Sequence, residues 1–282
     1  RVPPHDLPRR NAQLSATGSV SETLAFALGG WLYQGLGVAW ALLVDGVSFL
    51  LSALWLRGVA DTPPVPVGPT ASAWQLLRDA WVDARVGLTL VARHPGLRVL
   101  AGIELLLAAG GGLFGTSFMI FVARDIGMGT GPLGMVFAVG GLGALLGAWA
   151  APALGRRLGS GRAMAVGLAV MALGNACVPL VGTAGATGLA LLVLHQLVGD
   201  GGHVLHDIHD RTLRQTLVAP DLLARADAGI RSAGQGATLA AALGGGLVGQ
   251  AFGARSALVL AVALFGLAAL LAFVRRGALR QA

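Results

Sequence analysis

The stretch Thr23-Leu24-Ala25-Phe26-Ala27-Leu28-Gly29-Gly30 returns near the other end of the chain as Thr238-Leu239-Ala240-Ala241-Ala242-Leu243-Gly244-Gly245, with seven of eight positions identical. At the same offset Asp6-Leu7 matches Asp221-Leu222 and Arg10 matches Arg225; with one inserted residue, Gly37 matches Gly253. Matched residues outside the apolar run argue against chance similarity between two glycine-rich segments. The chain therefore opens on one copy of a repeated element and closes on the other.

Both copies sit in long apolar runs, and so does most of the chain. Of 282 residues, 55% are hydrophobic and only 12% charged, with a mean hydropathy of +0.74. Soluble domains carry about a quarter charged residues, so this surface cannot face water. A hydrocarbon core about 30 Å thick needs about 20 helical residues to cross it. Eight segments reach that length, at 13–34, 38–56, 98–122, 132–154, 163–181, 186–206, 227–251 and 255–275. None shows the dyad alternation of a barrel wall. The expected fold is an all-α membrane protein with about eight transmembrane helices.

The formal charge of +7 rests on arginine alone, since the chain has no lysine. A nucleic-acid partner would need a basic face on a soluble fold, whereas these arginines lie between apolar runs. Arg1, Arg9 and Arg10 precede the first span; Arg57, Arg78, Arg85, Arg93 and Arg98 follow the second. Arg156, Arg157 and Arg162 follow the fourth, Arg211, Arg214 and Arg225 the sixth, and Arg275, Arg276 and Arg280 the last. The alternate connections hold only Arg124 and Arg255. By the positive-inside rule the chain is expected in the cytoplasmic membrane with both ends inside. Cys177, the single cysteine, excludes an intramolecular disulfide and reads as a small packing residue.

The only long connection is 57–97. Its proline-rich start, Asp61 to Pro69, reads as an extended linker. Trp74, Leu77, Trp81, Ala84, Leu88 and Val91 then recur at steps of three and four, with Arg78, Asp79, Asp83 and Arg85 elsewhere on the wheel. That pattern predicts an amphipathic helix in the cytoplasmic interface with its tryptophans among headgroups; a helix packed on loops is the alternative.

The repeat fixes the count. The first two spans correspond to the last two in the same orientation, with four spans between them. A parallel repeat starting at the third span and ending at the eighth holds six helices, so four more are expected upstream of Arg1. Two parallel six-helix halves are a transporter architecture. The expected division is 1–57, the last two helices of an N-terminal bundle; 58–97, the linker; and 98–282, the C-terminal bundle. With no initiator methionine and no signal peptide ahead of the first span, the chain reads as N-terminally truncated.

Throughout its length the sequence resembles the major facilitator superfamily, in particular the bacterial exporter branch of siderophore and drug efflux permeases. Leu7, Asn11-Ala12 and Leu28-Gly29-Gly30 resemble that branch's lead into its fifth helix. Asp45-Gly46-Val47-Ser48-Phe49-Leu50 resembles its sixth-helix pattern, and Gly87 with His94-Pro95-Gly96-Leu97-Arg98 its approach to the seventh. Thr212-Leu213-Arg214-Gln215, then Pro220 and Arg225, resemble the connection between the tenth and eleventh. Ala25-Phe26 stands where the exporter motif has Gly-Pro. Arg156, Arg157 and Gly159 resemble a worn copy of the cytoplasmic gating-loop motif, with Arg156 in place of its aspartate.

Ionisable and polar groups inside a span are costly and so mark function by default. Those singled out for a substrate cavity or proton coupling are Glu22, Glu104, Gln196, Asp200, His203, Arg231 and Gln235. Gln196, Asp200, His203 and Asp207 follow at steps of four, three and four and share a helix face. The resemblance implies that this face looks into the central cavity, where Asp200 would exchange a proton and His203 relay it. For His203 and Asp207, bonding to loops and headgroups is the competing reading; for Asp45, a structural cap or interhelical bond is favoured. A metal site formed by His203, His206, Asp207 and Asp210 is an alternative that would make the protein a metal-ion exporter. No Gly-Lys-Ser/Thr phosphate loop is present, and no cofactor or enzymatic activity is expected. The resemblance implies a secondary transporter, monomeric when full length, that exports a small molecule across the bilayer by alternating access coupled to protons. An incomplete, non-transporting fragment or scaffold is the other reading.

Overall fold

The computed structural model describes residues 7–57 and 72–279, and among them every regular element is helical. The helices are α1 (Leu7–Leu56), α2 (Ala73–Arg93), α3 (Pro95–Ile120), α4 (Thr130–Leu158), α5 (Ser160–Ala176), α6 (Ala186–Leu217), α7 (Pro220–Phe252) and α8 (Ala254–Val274). A π-helical turn, Phe121–Asp125, extends α3, and a 3₁₀ turn, Val178–Leu180, follows α5. Among the described residues, six helical segments are long and apolar enough to cross a membrane.

Each boundary has a local cause. Ser72 caps α2 reciprocally with Gln75 in a capping box. His94 caps α3, accepting from Leu97 N–H at 3.4 Å, and Pro95 follows where a missing N–H costs nothing. Three glycines make single-residue reversals: Gly37 (φ 78°, ψ 173°), Gly159 (φ 79°, ψ 154°) and Gly253 (φ 85°, ψ 154°). A side chain is strained in that backbone region. Gly37 breaks α1 into two arms, which accounts for the two spans expected there, and its repeat partner Gly253 turns α7 into α8 in the same conformation. Gly29 and Gly244 face open space, while Gly30 lies against Thr130 and Gly134 of α4 and Gly245 against Leu113 of α3.

Packing pairs set the helix directions. Glu104 meets Gly234 and Gly112 meets Thr238 and Ala242, so α3 and α7 run parallel. Gly102 lies by Leu271 and Gly110 by Phe265, so α8 runs against α3. Gly140 meets Gln196 and Asp200, and Gly155 meets His209, so α4 and α6 are parallel; α5 opposes α6, with Gly174 on Gly199 and Gly167 on His206. The bundle is an arc in the order α7, α3, α8, α5, α6, α4, with α1 laid on α4 and α2 on α7. Without a hydrophobic drive between helices in lipid, such close backbone approach is the main source of association. Gly147 against Gly201 backbone is a clear instance.

Of three apolar clusters among the described residues, two brace opposite ends of the bundle. One, near the start of α3, joins Leu97, Leu100, Ile103, Met164, Leu168 and Leu213. The other, at the far end, joins Phe118, Phe121, Leu133, Val136, Leu192 and Leu258. There Arg255 donates to the Val181 carbonyl at 2.8 Å and lies over the Phe121 ring at 5.3 Å, which gives that isolated arginine a structural role.

The structure adjusts three expectations. α6 runs to Leu217, well past the apolar span expected at 186–206, and α7 begins at Pro220 rather than near 227. Hydropathy ends where apolar residues end, but helices continue when their polar residues pair across the bundle. α2 forms where the periodicity predicts a helix, and among its described side chains those of the later turns engage the protein. Gly87 abuts Arg225 and Gly229 of α7 and Val91 is buried, whereas Trp74 and Trp81 are 77% and 72% exposed. Asp45 accepts a Ser48 hydroxyl bond through its backbone carbonyl at 2.7 Å.

Candidate functional site

The face predicted on α6 borders two adjoining cavities. The first, about 470 Å³, lies among α3, α4, α5, α6 and α8 and is lined by Phe114, Phe118, Phe137, Phe265, Met119 and Met171, with Asn175, His195, Gln196, Asp200 and His203. The second, about 530 Å³, opens between α3, α6 and α7 toward the start of α3. Its lining is polar: Glu104, His203, His206, Asp207, Asp210, Arg214, Asp227, Arg231 and Gln235. Leu107 and His203 belong to both, so His203 stands where the two meet.

In the first cavity Gln196 is buried, and its Nε2 lies 3.5 Å from Asp200 Oδ2. Gly140 of α4 leaves the space these two side chains occupy. The aromatic wall is continuous. Phe114 and Phe118 stack with centroids 5.3 Å apart, and His195 lies 5.5 and 5.7 Å from them. His195 is buried with Nδ1 lacking a hydrogen-bond partner, and Asn175 is buried with its amide donating to the Met171 carbonyl at 2.8 Å. The cavity thus offers stacking surface with a few fixed polar atoms, the usual make-up of a small-molecule pocket.

The second cavity is organised by Arg214, which is 7% exposed. Its Nε lies 2.8 Å from Asp210 Oδ2, close in distance though off the N–H direction. Its two terminal nitrogens reach Glu104 on α3 at 3.3 Å and Asp227 on α7 at 3.4 Å. A planar guanidinium with donors on several sides suits this task better than a point-charge ammonium. One cation therefore ties three helices together through three carboxylates.

The predicted residues are thus largely gathered. Gln196, Asp200 and His203 line the first cavity, and Glu104, His203, Arg231 and Gln235 the second. Glu22 lies on α1, and its side chain is outside the described residues. Arg156 and Arg157 are exposed at the end of α4, and among the described residues neither has an ion-pair partner; Gly159 is the turn after them. The alternative metal set does not converge. Among the described residues no three His, Cys, Asp or Glu side chains form a metal-holding group. Asp210 is engaged by Arg214 and Asp207 by Arg211 at 2.9 Å, while His203 and His206 stack at 6.2 Å. These residues share one helix stripe, and its two carboxylates are engaged by arginines along it, while the buried His206 Nδ1 has no hydrogen-bond partner.

Arg214, Asp227 and His195 escaped the sequence reading. Arg214 reads there as one more arginine following a span. The usable signal is Asp210 four residues before it, an i,i+4 pair on a helix, together with Glu104 inside an apolar run.

The family model described as Major Facilitator Superfamily matches residues 1–205. An uncharacterized MFS-type transporter, y4rN of Sinorhizobium fredii (strain NBRC 101917 / NGR234), is 30% identical over 233 residues, 79% of this chain and 53% of that protein. The chain thus spans about half the length of this curated relative. Among solved structures, a bacterial metal transporter superposes with a TM-score of 0.73 at 17% identity, over 98% of this chain and 67% of its own. An inward-facing bacterial homologue of the iron transporter ferroportin gives 0.74 at 17%, over 97% and 64%. The nucleoside transporter NupG, as a D323A mutant, gives 0.64 at 18%, over 92% and 66%. At these identities the structures share the fold alone.

Proposed function

This chain belongs to the Major Facilitator Superfamily, and on that premise we propose that it forms the last eight helices of a proton-coupled exporter of small molecules. In this reading residues 1–57 complete an N-terminal bundle, 58–97 link the halves and 98–282 form the C-terminal bundle. The two halves rock about a central site in the cytoplasmic membrane, with the arginine-bearing helix ends inside the cell. The complete transporter works as a monomer and has twelve helices.

One observation carries the reading. The stripe Gln196, Asp200, His203 and Asp207 borders an apolar aromatic cavity at one end and a charged cavity at the other, with His203 at their junction. In a span a carboxylate on a cavity wall is retained for a task. Asp200 can hold a proton, or release it as a substrate's polar group arrives. His203 offers the next step toward the charged cavity. The rings of Phe114, Phe118, Phe137 and Phe265 suit a substrate with an apolar, ring-bearing body, since stacked aromatic contacts add about 0.5–1.5 kcal/mol beyond burial. Arg231 and Gln235, on α7, supply the polar wall of the cytoplasmic approach to that pocket.

The test is Asp200→Asn in the complete transporter, reconstituted with an imposed proton gradient. Proton-driven flux should be abolished while gradient-free exchange of substrate persists. Unchanged gradient-driven transport would remove Asp200 from the proton path.

A further inference from the structure

On α2, Trp74, Arg78, Trp81 and Arg85 follow at steps of four, three and four, so they form one stripe along the helix. All four are exposed, the two tryptophans by about three quarters. Gly87 and Val91 lie on another side of the helix and are buried. A Cβ at Gly87 would run into the Arg225 carbonyl and Gly229 N, so the helices meet closely there, and Val91 joins the cluster of Leu97 and Leu100. α2 is therefore pinned to the bundle by its last turns, with the stripe directed away from it. It passes through His94 straight into α3, a helix of membrane length, so α2 stays at the end of the bundle where α3 begins. Arg93 and Arg98, both exposed, flank that junction.

Two large indole rings left in water on a pinned helix call for an occupant, and their chemistry narrows it. Tryptophan is favoured where one side is apolar and the other wet, at the level of lipid headgroups. Arginine binds phosphate through a planar fork. Alternation of the two on one stripe places guanidinium donors at the depth where the rings anchor. We propose that this stripe is a docking surface for anionic phospholipid, with Trp74 and Trp81 seated among headgroups and Arg78 and Arg85 each holding a lipid phosphate. The inference rests on the membrane-spanning reading of α3 but not on any transport activity. Neutral lipid would satisfy the rings and leave the arginines without their counter-charge; an acidic protein would satisfy the arginines and leave the rings without an apolar layer.

The test uses the chain as it stands, reconstituted in phosphatidylcholine bilayers containing a few per cent of brominated phosphatidylglycerol or, separately, brominated phosphatidylcholine. Fluorescence belonging to Trp74 and Trp81 is obtained by difference from a W74F/W81F variant. Brominated phosphatidylglycerol should quench that fluorescence more strongly. The local enrichment of anionic lipid should be about fivefold per arginine, from an attraction of about 1 kcal/mol for each basic residue near the surface. R78Q/R85Q should remove the preference while leaving quenching of the other tryptophans unchanged. High salt should erode the preference in the unsubstituted chain, a readout that needs no variant to fold. Equal quenching by the two lipids, or none by either, would overturn the proposal. The first would leave a neutral interfacial helix and the second a surface for a protein partner. Loss of transport in the complete protein would bear on the proposed function alone.

Discussion

Replacing Arg214 by glutamine should destabilise the bundle more than any other single charge removal among the described helices. The arginine and Asp210 are 8% and 7% exposed in their side chains and 2.8 Å apart. Removing one partner of a buried pair leaves the other uncompensated, at a cost of about 3–5 kcal/mol. Glu104 and Asp227 are 31% and 35% exposed, so solvent screens them, and each adds about 0.2–1 kcal/mol at most. Asp210 therefore dominates the loss. At about 2–4 °C per kcal/mol for a chain of this size, the apparent melting midpoint should fall by roughly 6–20 °C. Thermal unfolding in nanodiscs, followed by intrinsic fluorescence, measures this directly. R214K keeps the charge but cannot reach three carboxylates in one plane, so it should lie between. The decisive variant is R214Q/D210N, which removes both buried charges and should recover more than half of the loss. A single R214Q melting within about 2 °C of the parent, or a double variant worse than the single, would refute the account.

Other substitutions separate packing from chemistry. Gly147→Ala sets a methyl against the Gly201 backbone, which cannot move alone, so it should lower the midpoint by several degrees. Gly140→Ala meets only the side-chain ends of Asp200 and Gln196; it should spare stability and impair ligand binding in the complete transporter, read by titration. Gly253→Ala places a side chain at φ 85° and should cost about 1–3 kcal/mol in thermal unfolding. Gln34→Ala removes the acceptor of the Gly131 N–H bond, 2.7 Å long. It should loosen α1 from α4, seen as faster proteolysis of the first helix.

How much was legible differs between the fold and the site. The apolar runs located the six helical segments that are long and apolar enough to span among the described residues, because lipid demands about 20 apolar residues in a row; the spans expected at 13–34 and 227–251 are helical but are not among those six. The Gly37 and Gly253 turns were legible from the repeat, and both adopt the same left-handed backbone. The α6 face was legible because Gln196, Asp200, His203 and Asp207 keep helical spacing. Arg214 was not. Its neighbours Glu104 and Asp227 lie 110 and 13 positions away, and its one local signal, Asp210 four residues before it, does not by itself distinguish an exposed helical pair from an arginine folded under three carboxylates. The metal alternative meets the same limit. A stripe of histidine and aspartate shows which residues share a side of a helix, but whether they converge on one point depends on which neighbours engage them first.

What the sequence by itself determined is the solvent of this protein and the rhythm of its helices, since apolar length, arginine alternation and turn glycines act on the nearest residues. Tertiary structure alone decided which charges are buried. It made Arg214 the tie between α3, α6 and α7, left Arg156 and Arg157 exposed, and set His203 at the junction of two cavities. The physical reason is that a charge is accommodated by whatever distant helix supplies its partner, and that partner is chosen only when the bundle closes.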